Sequence, residues 1–224
     1  MKNLILVTLD DVSNFLYKAP DIFKKGYIFE NAHCNIPFCQ PSRMVLLTGL
    51  YPQNNGSVCF NPINENIPTL ASILKEKNFF TGIIGKLFHH LPDSCFNWDL
   101  KESLTIYTTP NVEKEKIINF FKIAKKQSPY FVCINIQSTH RPFKKERSEK
   151  PIDDFVSFSN LLNSANDILL ELLNFIDYEE DLLVLTSDHG SSFPYLKGNC
   201  YGFSTNIPLL FLNKKIVSKI DQKI

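Results

Sequence analysis

The sequence predicts an α/β fold, a three-layer sandwich in which helices cover both faces of a central, mostly parallel sheet. Three observations lead there. Apolar runs of strand length alternate with longer segments of helical periodicity. The strand runs at 4–9, 130–136 and 182–186 are almost wholly apolar, as strands buried on both faces are. Polar and ionisable residues collect just past strand ends, at Asp10-Asp11, Lys86, His140 and Asp188-His189. Open α/β sheets bind their ligands at the carboxyl ends of the strands.

Residues 3–9 read as the first strand, ended by the two aspartates. A helix over 12–25, broken near Ala19-Pro20, and a second strand over 27–32 follow. Pro41 in a first turn and Gly49 as terminator frame a short helix. Another begins at Ile67-Pro68-Thr69 and carries Leu70, Ile73 and Leu74 at helical spacing. Residues 80–84 form a strand that runs into Gly85-Lys86, whereas 91–110 show no period. Ile117, Phe120, Phe121 and Ala124 mark one face of an amphipathic helix over 112–126. A strand over 130–136 and a charged loop over 141–150 precede a helix over 153–176, whose apolar stripe is Leu162, Ala165, Leu169, Leu172 and Leu173. Strands over 182–186 and 207–212 complete the chain.

At 224 residues, 44% hydrophobic and 21% charged, the chain has the size and apolar content of one domain spanning 1–224. Lys and Arg total 24 against 23 Asp and Glu, so no basic excess points to nucleic acid and any ion site is local. The run at 4–9 is too short to cross a membrane and lacks a small-residue cleavage site. The expectation is therefore no secretory signal, no membrane anchor and a cytoplasmic location. None of the six cysteines (34, 39, 59, 95, 133 and 200) forms a Cys-x-x-Cys pair, which argues against a zinc ribbon and for reduced thiols.

Adjacent carboxylates at one strand end and an Asp-His pair at another suit a hard divalent cation such as calcium, magnesium or manganese. Taken separately, Asp10-Asp11 also suit a helix N-cap and Asp188-His189 a turn. Cys39 stands just before a proline-started helix, where backbone N–H groups and the helix dipole favour an anion, and Arg43 can reach back to the same place. Bare composition alone favours a buried structural cysteine beside a surface arginine. Lys86 and Lys197 alone would be solvated, His89-His90 a polar turn, and His140 a loop residue.

The run Cys39-Gln40-Pro41-Ser42-Arg43-Met44-Val45-Leu46-Leu47-Thr48-Gly49 resembles the signature of the sulfatase family, within the alkaline-phosphatase superfamily. Leu6-Val7-Thr8-Leu9-Asp10-Asp11 is similar to the family's N-terminal metal-binding strand, and Thr186-Ser187-Asp188-His189-Gly190 to its second metal motif. Gly85-Lys86-Leu87-Phe88-His89 resembles the matching stretch of iduronate-2-sulfatase-like members, and Lys197 stands where the family has a late active-site lysine. The motifs occur in the family's order along nearly the whole chain.

The resemblance implies a sulfuric ester hydrolase whose Cys39 is oxidised to formylglycine by a maturation enzyme. It implies a metal shell of Asp10, Asp11, Asp188, His189 and the oxidised side chain of Cys39, with calcium as the usual ion. Arg43 and Lys86 would hold the aldehyde hydrate, His89 would bond one of its hydroxyls, and His140 and Lys197 would bind the sulfate of a small-molecule or saccharide ester. The chain is shorter than full-length members, so their C-terminal subdomain is expected to be missing. Two alternatives stay open: phosphonate monoester or phosphodiester hydrolysis by the same nucleophile, and a shortened, non-catalytic member.

Overall fold

The computed structural model describes residues 1–60, 66–86, 97–140, 155–190 and 198–222. At its centre lies β1 (Asn3–Leu9), hydrogen-bonded in parallel to β5 (Tyr130–Ile136) on one side and to β6 (Asp181–Ser187) on the other. Beyond β5 come β3 (Phe80–Gly85) and β4 (Leu100–Ser103), both parallel. Beyond β6 come β7 (Leu209–Leu212), β2 (Tyr27–Phe29) and β8 (Lys219–Asp221), giving one eight-stranded sheet in the order β4-β3-β5-β1-β6-β7-β2-β8. Only β7 runs against its neighbours, so the sheet is mostly parallel, as the strand compositions predict.

Alternation along the central strands divides the core in two. Ile5, Val7 and Leu9 of β1 and Val132, Ile134 and Ile136 of β5 belong to the larger cluster. This is covered by α4 (Pro110–Ala124) and α5 (Phe155–Leu173), which pack on each other through residues including Ile117, Phe121, Phe158, Ala165 and Leu169. Leu6, Ile83, Phe131 and Cys133 point to the other face, beneath Met44 and Leu47 of α1 (Cys39–Thr48) and Ala71 of α3 (Leu70–Glu76). Helices on both faces make the sandwich three-layered. Two single-turn helices, α2 (Pro52–Asn55) and α6 (Gly202–Thr205), complete the elements among the described residues, and no helix is long and apolar enough to cross a membrane.

Three readings of the sequence need correction. No helix spans 12–25: Ser13 accepts from the amides of Leu16 and Tyr17 through its carbonyl and of Phe15 through its Oγ. Such local bonds close a turn instead of propagating a helix, and Pro20 then leads into a short 3-10 helix, Asp21–Lys25. The aperiodic stretch holds β4, an edge strand with Leu100 and Glu102 half-buried and Lys101 and Ser103 exposed. The strand near 207–212 is not the last, since β8 pairs with β2. The charged loop at 141–150 lies outside the described residues.

Candidate active site

Because β3, β5, β1 and β6 are adjacent and parallel, their carboxyl ends meet at one edge. Past β1, Asp10 and Asp11 are buried, and Asp11 takes a left-handed φ of 59°, a conformation aspartate tolerates better than most residues. The turn is held from both sides. The Asp11 amide donates to Asp188 Oδ1 at 3.1 Å and the Val12 amide to Ser187 Oγ at 3.1 Å, while Thr139 Oγ1 donates to the Asp10 carbonyl at 2.5 Å.

Helix α1 brings the fourth component. Phe38 is its N-cap residue, Cys39 its first residue, and Gly49 at φ 68° closes it by donating to the Val45 carbonyl. Cys39 is buried, with Sγ 3.2 Å from His189 Nε2 and 3.7 Å from Lys86 Nζ. One turn on, Arg43 aims its guanidinium back at the strand ends. Its Nη2 donates to Asp10 Oδ1 and Asp188 Oδ2 at 3.0 Å each, and its Nε to Asp188 Oδ2 at 3.2 Å. Ser42 Oγ fastens the same turn to the Asp188 carbonyl.

Lys86 leaves β3 toward the same point, its Nζ 3.4 Å from Asp10 Oδ2. Asn135 Oδ1 accepts from the Lys86 amide at 3.1 Å, while Asn135 Nδ2 donates to the Thr8 carbonyl at 3.2 Å. The intervening Gly85 has φ 122°, and a Cβ there would lie 2.5 Å from the Asn135 carbonyl oxygen. His140, which ends the turn after β5, has Nε2 3.8 Å from Asp11 Oδ2. His189 Nδ1 donates to the Gly190 carbonyl at 2.9 Å. This bond places a proton on Nδ1 and turns Nε2 inward, 3.0 Å from Asp11 Oδ1.

The charges explain the titration of the site. Burial opposes ionisation of Asp10, but Lys86, Arg43 and His140 together hold it well below the usual carboxylate range. Burial likewise opposes a charge on Arg43, yet Asp188 and Asp10 hold its guanidinium protonated. For His189 burial is outweighed by Asp188 and Asp11, which raise it to about 10. Burial pushes Asp188 up, with Asp10 adding to it and His189 and Arg43 opposing. The last two shifts pull against each other, because a protonated Asp188 would remove much of the field that charges His189. Asp188 accepts from the amides of Asp11 and His189 and from two nitrogens of Arg43. That hydrogen-bond set favours the carboxylate, so we take Asp188 as ionised.

Three carboxylates thus face two permanent cations, a surplus of one negative charge before either imidazole is counted. Two overlapping groups could hold an ion: Asp10, Asp11, Cys39 and His140, and Asp11, Cys39, Asp188 and His189, with donor atoms in each group within 4.8 Å of one another. Buried carboxylate oxygens with one inward imidazole fit a hard divalent cation. Such an ion would supply the charge that a proton on His189 Nε2 otherwise supplies, and would leave that lone pair available as a donor.

Of the residues expected from sequence, Asp10, Asp11, Cys39, Arg43, Lys86, His140, Asp188 and His189 converge; His89 and Lys197 lie outside the described residues. Sequence reasoning missed Ser42, Asn135 and Thr139. Asn135 alone left a trace, as a polar residue inside the apolar β5 run.

A parallel sheet whose strand ends gather carboxylates around a helix-borne side chain defines an alkaline-phosphatase-type fold. A protein of the alkaline phosphatase superfamily from Vibrio parahaemolyticus superposes with a TM-score of 0.74, at 16% identity, over 100% of this chain and 62% of that one. The chain belongs to the Sulfatase family, whose model matches residues 2–224. Human iduronate 2-sulfatase is 28% identical over 116 residues, covering 43% of this chain and 21% of that protein. The chain spans less than half the length of the curated relatives it matches. A phosphonate monoester hydrolase of Agrobacterium radiobacter shares the fold as well, with a TM-score of 0.77 at 12% identity over 99% of this chain and 70% of that one. Fold alone therefore does not separate sulfur from phosphorus.

Proposed function

We propose that this chain forms the catalytic core of a sulfuric ester hydrolase acting on a small-molecule or saccharide sulfate, with formylglycine made from Cys39 as nucleophile and calcium as the ion. One observation carries the reading: the Cys39 side chain, heading a Cys-x-Pro-x-Arg helix, sits between Lys86 Nζ and His189 Nε2 at 3.7 and 3.2 Å. The mostly oxygen donor set favours calcium, with magnesium and manganese as the other hard candidates.

Formylglycine as its hydrate supplies two hydroxyls on one carbon, one to take the sulfuryl group and one to drive its release as sulfate. The chain prepares that position. Lys86 places a positive charge beside residue 39, which favours the deprotonated hydroxyl. Arg43 orients Asp10 and Asp188 and acts on residue 39 through its charge, since its hydrogen bonds go to the carboxylates. His140, with 17% of its side chain exposed, is the cluster's most accessible imidazole and faces the sulfate. We assign the hydrate proton to His89 and the leaving oxygen to Lys197, as the family resemblance implies. Cationic groups around the sulfate oxygens offset the charge shared between attacking and leaving groups.

The test is mass spectrometry of the Cys39 peptide from the native host, with turnover of 4-nitrophenyl sulfate. An aldehyde at residue 39 and calcium-dependent hydrolysis are expected. Cys39→Ser can accept the sulfuryl group but has no second hydroxyl, so it should stop after one turnover as a sulfated enzyme. Sustained turnover by Cys39→Ser would refute the formylglycine mechanism.

A further inference from the structure

Glu113 is a carboxylate buried to 0% exposure that the chemistry above does not use. It lies in the first turn of α4, where an acidic residue ordinarily complements the helix dipole from the surface. Burying a carboxylate is costly unless its oxygens are satisfied, and both oxygens of Glu113 reach across to the end of β5. Oε1 accepts from the Gln137 amide at 2.5 Å, and Oε2 accepts from the Ser138 hydroxyl.

Those two residues open the turn that enters the site. The His140 amide donates to the Gln137 carbonyl at 2.9 Å, so the residue held by Glu113 closes the turn that carries His140. Gln137 Nε2 also donates to the Leu104 carbonyl at 3.1 Å, so the base of the turn is anchored at its side chain as well. His140 Nε2 stands 3.8 Å from Asp11 Oδ2.

We propose that Glu113 is a positioning residue: it clamps the Gln137–Ser138 segment and thereby aims His140 at the sulfate. The inference rests on the sulfatase reading. It assigns Glu113 no contact with substrate; its whole effect passes through the turn.

A double-mutant cycle tests it on the matured, calcium-loaded protein, read as kcat/KM for 4-nitrophenyl sulfate and as calorimetric affinity for inorganic sulfate. Glu113→Ala should lower kcat/KM about tenfold or more, the range seen when a supporting partner is removed. Glu113→Gln, which keeps the volume and the acceptor for the Gln137 amide, should recover most of that loss. In a His140→Ala background the Glu113→Ala loss should shrink to less than about threefold, because the group it aims is gone. If Glu113→Ala does not fold, Glu113→Gln carries the cycle, with a smaller loss that must likewise disappear in the His140→Ala background. An equal loss in both backgrounds would overturn the inference and leave the sulfatase reading standing. Wild-type protein with neither turnover nor sulfate binding would overturn both.

Discussion

Replacing Arg43 by Met keeps most of the side chain's volume and removes its charge. Three hydrogen bonds, at 3.0, 3.0 and 3.2 Å, disappear from two fully buried carboxylates. Truncating one partner of such a buried network costs about 3–5 kcal/mol, chiefly because the remaining charges are left uncompensated. With a chelator present, three carboxylates then face only Lys86 and a protonated His189, so a balanced set becomes one negative charge in surplus, and the full loss of about 4 kcal/mol should appear. Saturating calcium, taking the place of the His189 proton, adds one net positive charge and brings the variant site to neutrality. Most of the loss should then be recovered, leaving about 1–2 kcal/mol for the missing hydrogen bonds.

Trp98 makes the measurement simple. It is the one tryptophan of the sequence, it is 7% exposed, and it packs on Phe131 of β5 at 5.8 Å, so its fluorescence follows the opening of the sheet. With a urea m-value of about 2–3 kcal/mol/M, the loss in chelator corresponds to a midpoint shift of about 1.3–2 M. Arg43→Lys should fall between wild type and Met, since it keeps a point charge but not the fork. Equal losses in chelator and in calcium, within about 0.5 kcal/mol, would refute the reasoning, because Arg43 would then stabilise by packing and not by balancing charge.

Three further outcomes follow from the same edge and its opposite. Gly85→Ala sets a Cβ 2.5 Å from the Asn135 carbonyl oxygen at φ 122° and should cost more than about 2 kcal/mol in thermal unfolding, with lowered calcium affinity because Lys86 moves. Gly49→Ala, at φ 68° with nothing within 4 Å, should cost only about 1 kcal/mol. Asp181→Ala strands donors from Asn3, Tyr130 and the Asp177 amide and should cost about 3 kcal/mol, yet leave calcium affinity unchanged in a titration of the folded protein.

What was legible in the sequence follows from how each feature is encoded. Strands β1, β5 and β6 are buried on most residues, so burial wrote them as largely apolar runs. β4 and β8 are edge strands of four and three residues, too short and too exposed to leave a period. The false helix over 12–25 had apolar residues at tolerable spacing, but its start was governed by Ser13, whose hydrogen-bonding choice periodicity does not register. Asp10, Asp188 and Cys39 were readable because they fall in runs that resemble the family's metal motifs and signature, in the family's order. Thr139, Asn135 and Glu113 serve the site through contacts to residues remote in sequence, and Glu113 in a first helical turn looks like any dipole-complementing acid.

The sheet separates stability from chemistry by strand direction. At the amino ends of β1, β5 and β6, Asp181 accepts from Asn3, Tyr130 and Asp177 within the described residues, a set of neutral donors that satisfies the carboxylate. At the carboxyl ends of the same strands, three buried carboxylates crowd around Cys39 against the two cations Arg43 and Lys86, and a proton on His189 makes up the balance. Asp181 and the three carboxylates of the site are all buried, so burial alone does not explain the difference. A fold selected only for stability would not accumulate like charges where desolvation is costliest. A divalent ion could take the place of the His189 proton, so the crowding suits a site that exchanges a proton for a cation. Arg43 offsets part of the repulsion through its hydrogen bonds to Asp10 and Asp188.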